Sequence, residues 1–143
     1  AQGLSSRRRS LWFSHHGEEK MEFLDLFDAP NPGDCYRRTT SVQPQQALAL
    51  VNSDLTRSLA AALAARLSGR AGSGADAEAR FVDEAFVTVL GRPATEDERA
   101  ASVEFLVSQA ATLAAEGAAE PVVRARAGMV HALMNHNDFV TVR

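Results

Sequence analysis

Leucine recurs at positions 55, 59, 63 and 67, and this four-residue spacing predicts a helix with an apolar stripe. Asn52-Ser53-Asp54 precedes it as a break, with Asn52 ending one helix and Ser53 capping the next. Pro44 is placed as a first helical residue, so the earlier helix covers 45–51. Residues 68–75 (SGRAGSGA) contain three glycines and read as a flexible loop.

Asp76 is positioned to cap the next helix, whose buried face is Phe81, Val82, Ala85, Phe86, Val89 and Leu90. Gly91 is a natural C-terminal stop, and Pro93 reinforces it. Thr95-Glu96-Asp97-Glu98 has the form of a capping box, in which the threonine oxygen accepts from the third amide and Glu98 reaches back. The helix it opens should pack Val103, Leu106, Val107, Ala110 and Leu113, and Glu116-Gly117 ends it. Pro121 starts a last helix with Val122, Val123, Met129, Val130, Leu133 and Met134 inside and Asn135 as C-cap. Phe139, Val140 and Val142 form an apolar tail that should dock back on the bundle.

The first 43 residues follow a different pattern. Residues 1–17 lack helical periodicity, 18–27 read as a short helix with acidic residues in its first turn, and Pro30 and Pro32 stop it. The expected fold is therefore all-α: a bundle of five or six helices with an irregular N-terminal segment packed on it. As a single domain over 1–143, it divides into an irregular layer plus short helix (1–43), a helical stretch (44–68), a loop (69–75), and a three-helix unit with a tail (76–143).

Composition is ordinary for a globular protein, with 45% hydrophobic and 23% charged residues. A formal net charge of -3 gives no reason to expect nucleic acid as a partner. No apolar run approaches the roughly 20 residues that span a bilayer, and no signal peptide is visible. The chain begins at Ala1, which suits a fragment or processed product of a larger protein.

Unusual residues concentrate in 7–46, which holds Trp12, Phe13, Phe23, Phe27, Tyr36, the sole cysteine (Cys35) and the sole lysine (Lys20). Arg7, Arg8 and Arg9 can bind an anion through planar forks, or stand as a solvated run paired with Asp25, Asp28 or Asp34. Asp28, Cys35, Arg37 and Arg38 bracket the proline-rich loop. As a catalytic set they make Cys35 a nucleophile with its pKa lowered by arginine and a base drawn from His15 or His16. As a structural set they make Cys35 a small buried group inside a salt-bridged network, which is the favoured reading. Adjacent histidines point apart, and no metal-ligand spacing is present, so no metal site is expected. His131 and His136 near the end of the last helix suit its negative terminus, and the carboxylates at 18–19 and 96–98 suit helix starts. Phosphate-loop and serine-hydrolase signatures are likewise missing.

Five stretches occur in order: RRRSLWF, FLDLFDAPNPGDCYRR, SVQPQQALALVNS, VLGRPATEDE and ALMNHNDFVTV. Together, from about Arg7 to Val142, they resemble the C-terminal domain of large proteins typical of planctomycetes, classed as domain of unknown function 1553. Trp12 stands where that family often shows tyrosine. The resemblance implies an exported, periplasmic or cell-surface multidomain protein with a cytochrome-c-like N-terminal domain. Its preceding domains would then be this chain's partners. The haem-attachment pattern C-x-x-C-H is missing here, so no cofactor is expected in this chain, and a haem would belong only to an upstream domain.

Two functions follow as expectations. The first is a structural or domain-docking role, in which Arg8, Arg9, Arg38 and Trp12 supply binding contacts. The alternative is a share in an extracellular hydrolase or oxidoreductase site acting on polysaccharide, with Cys35, Asp28 and Arg37 as the catalytic candidates.

Overall fold

The structure is a computed structural model, and it describes residues 48, 49 and 51–140, Val140 for its backbone alone. The chain divides into two compact units, Ala1–Leu50 and Val51–Arg143. Of the first, only Leu48 and Ala49 are described, both helical. In the second, residues 51–52 are helical and are followed by α1 (Asp54–Ala71), α2 (Ala77–Leu90), α3 (Glu96–Ala115), α4 (Pro121–Leu133) and the single turn α5 (Asn137–Val140). The described residues are all-α, as the periodicity predicts.

Helix boundaries follow local chemistry. Ser53 Oγ accepts from the Thr56 amide at 3.2 Å and starts α1. Gly91, with φ of 68°, takes the left-handed conformation that closes α2. Thr95 and Glu98 form both halves of the capping box: Glu98 N–H donates to Thr95 Oγ1 at 3.3 Å, and Thr95 N–H donates to Glu98 Oε2 at 2.8 Å. Pro121 begins α4.

Three boundaries differ from expectation. α1 continues through Ser68, Gly69 and Arg70 to Ala71, so the loop begins only at Gly72. The extra turn is held from outside: Arg80 Nε donates to the Ala71 carbonyl at 2.8 Å and Arg80 Nη2 to that of Ser73 at 3.1 Å. Asp76 occupies the N-cap position of α2 but makes no side-chain capping bond. Met134, not Asn135, is the C-cap of α4, while Asn135 Nδ2 donates to the His131 carbonyl at 2.7 Å.

The core joins Ala60, Ala64, Leu67 and Ala71 of α1, Phe81, Val82, Ala85 and Phe86 of α2, Leu106 of α3, and Ala125, Met129, Val130 and Leu133 of α4. α2 and α4 each contact α1 and α3 and also each other, and α5 contacts α2. The expected leucine stripe is not the buried face of α1. Leu55 and Leu59 are exposed, Leu63 is partly buried and Leu67 is sealed. At 3.6 residues per turn each four-residue step advances about 40° around the axis, so three steps carry the stripe about 120°. Thr56, Ala60, Ala64, Leu67 and Ala71 include one three-residue step that turns back about 60° and narrows the drift, and these are the residues α1 buries.

Angle also corrects α3. Val107 lies about 100° from Leu106 and is exposed. Val103, Ala110 and Leu113 pack at the core margin. Val122 and Val123 belong to the first turn of α4 and are exposed, not interior. Phe139 is exposed as well, although the turn that carries it contacts α2, and the Val140 side chain and Val142 lie outside the described residues.

Candidate functional site

Two polar clusters are built into the bundle. In the first, Arg126 of α4 is buried, and its guanidinium forks onto Glu78 of α2, Nε to Oε2 at 3.1 Å and Nη2 to Oε1 at 2.9 Å. The same guanidinium lies 4.9 Å from the Phe81 ring centroid. Both contacts lie on α2, one turn apart, so a single arginine ties α4 to that helix. Burial of the charge is tolerated because a carboxylate and a π face replace its water.

The second cluster sits at the corner between α2 and α3. Arg92 forks onto Glu98, Nη2 to Oε1 at 2.7 Å and Nη1 to Oε2 at 2.8 Å. Its Nε donates to Asp138 Oδ2 at 3.0 Å, its Nη1 also donates to the Pro93 carbonyl, and its guanidinium stands 5.7 Å from the Phe86 ring centroid. One side chain therefore braces the capping box of α3 and the turn of α5 together. Hydrogen bonds from Arg92 and from the Thr95 amide stabilise the ionised Glu98 carboxylate, whose pKa falls to about 2. The two carboxylates in turn hold the Arg92 guanidinium protonated well above its ordinary value.

Further ion pairs lie on the surface. Arg99 of α3 forks onto Asp83 of α2 at 2.9 and 3.3 Å, and Arg70 of α1 meets Glu84 of α2 at 3.5 Å. A shallow depression beside α2, open to solvent, is lined by Arg70, Ala71, Arg80, Asp83, Glu84 and Val87. Of the charges that line it, Arg80 donates to the Ala71 and Ser73 carbonyls, Arg70 pairs with Glu84, and Asp83 pairs with Arg99 outside it.

The two described histidines have different surroundings. His136 Nδ1 accepts from the Asp138 amide at 3.1 Å and so caps α5. It also lies 3.7 Å from Asp138 Oδ2, an ion pair only when the imidazole is protonated. The shorter contact governs, because the same nitrogen cannot accept from the amide and donate to the carboxylate at once. His131 Nε2 is buried and has no hydrogen-bond partner among the described residues, and the same holds for Ser68 Oγ.

The catalytic candidates Cys35, Asp28 and Arg37, the binding candidates Arg8, Arg9, Arg38 and Trp12, and His15 and His16 all lie outside the described residues. Among the described residues, no group of three or more His, Cys, Asp or Glu is arranged to hold a metal ion. No helix among them is long and apolar enough to cross a membrane. Sequence reading found Glu98 through its capping box but missed Arg92, whose partners lie 6 and 46 positions away. It missed Arg126 and Glu78 for the same reason, a separation of 48.

These features define an all-α domain whose described polar clusters brace helix against helix. The chain belongs to the family PSD1, described as a protein of unknown function (DUF1553), whose model matches residues 1–106. That match covers four of the five ordered stretches read from the sequence, and the closing ALMNHNDFVTV lies beyond it. No curated protein matches this chain, and no solved structure does.

Proposed function

We propose that this chain is the C-terminal helical domain of a large exported bacterial protein of planctomycete type, with a structural or docking role and no independent catalysis. The carrying observation is an apolar pair on α1, Leu55 and Leu59, which are 46% and 50% exposed. Spaced four residues apart on α1, they offer neighbouring leucine surface on consecutive helical turns. Family membership supports the same role, since one family domain takes in both the arginine- and aromatic-rich block and the first helices of the bundle. In this role, Arg8, Arg9, Arg38 and Trp12 contact the preceding domain of the same polypeptide, and any haem resides upstream.

The test is association in trans between this chain and the separately expressed domains that precede it in the parent protein, read by sedimentation velocity. Association is expected, and the double variant Leu55→Asp/Leu59→Asp should weaken it at least ~10-fold with helix content unchanged. A parent with no preceding domain, or binding indifferent to the two charges, would overturn the reading.

A further inference from the structure

We draw no further inference here: the strongest candidate, the exposed apolar side chains Phe105 and Val107 on the two flanks of α3, carries nothing because nothing in the structure shows what covers them.

Discussion

Single side chains settle more of this domain than their number suggests. Arg126 is charged yet buried, and its worth depends on having both Glu78 and Phe81 in place. Arg126→Ala strips out the ion pair, the ring contact and the packing of the stem, and about 3 kcal/mol of stability should be lost. Arg126→Met fills the same space but leaves the Glu78 carboxylate without its fork, so it should recover only the packing part of the loss. Urea midpoints of the three proteins check this. Equal loss in both variants would mean that the charge, not the packing, holds α4 to α2.

Glu98 makes the stability of the α2–α3 corner depend on pH in the acid range. Its folded pKa, about 2, lies below the ordinary 4.5, so folding binds fewer protons to this group than unfolding does. The resulting stability is fully present above pH 4.5 and is lost as pH falls toward 2. Relative to Glu98→Gln, the wild-type advantage in melting temperature should be constant in the neutral range and shrink across that interval. A difference that stays level down to pH 2 would show that the Arg92 fork does not favour the ionised carboxylate.

At the scale of elements, the ends of helices were legible because caps act over three or four residues. Ser53, Gly91, Thr95 with Glu98, and Pro121 all stand where local chemistry puts them. Gly91→Ala keeps the chain neutral and small but forces a Cβ into a conformation with φ of 68°, which should cost about 1 kcal/mol. Thermal melts check it, with Gly69→Ala, inside α1, as the contrast expected to stabilise slightly. The length of α1 was less legible. SGRA reads as loop in isolation, yet Arg80, nine residues on from Ala71, bonds the last carbonyl and lets the helix finish its turn.

The leucine row shows how a pattern can predict the element and still miss its face. Leu67→Ala should cost about 3 kcal/mol, because Leu67 is sealed in the core. Leu59→Ala should stay within about 0.5 kcal/mol, because that side chain is half exposed. Denaturant titration of the pair decides between the alanine face and the leucine row as the buried side of α1.

At the scale of the whole molecule, α2 is the shared element, touching α1, α3, α4 and α5. Phe81 is fully buried on it and carries Arg126 over its ring. Phe81→Ala should therefore be the most damaging of these changes, about 4 kcal/mol, and should lower one cooperative melting transition of the bundle. Val107→Ala, at an exposed position of α3, serves as the control and should leave that transition in place.

The sequence by itself determined the helical class, most of the caps and membership of the DUF1553 family, the last through four ordered stretches within residues 1–106. These features depend on neighbours a few positions apart or on the order of residues, and both are written in one dimension. Tertiary structure alone decided which face each helix buries, that Arg80 finishes α1, and that Arg92 and Arg126 are the polar braces. Burial depends on where another helix happens to lie, and a guanidinium finds its carboxylates across as many as 48 residues of chain. No periodicity encodes such a distance, so those contacts exist only once the chain has folded.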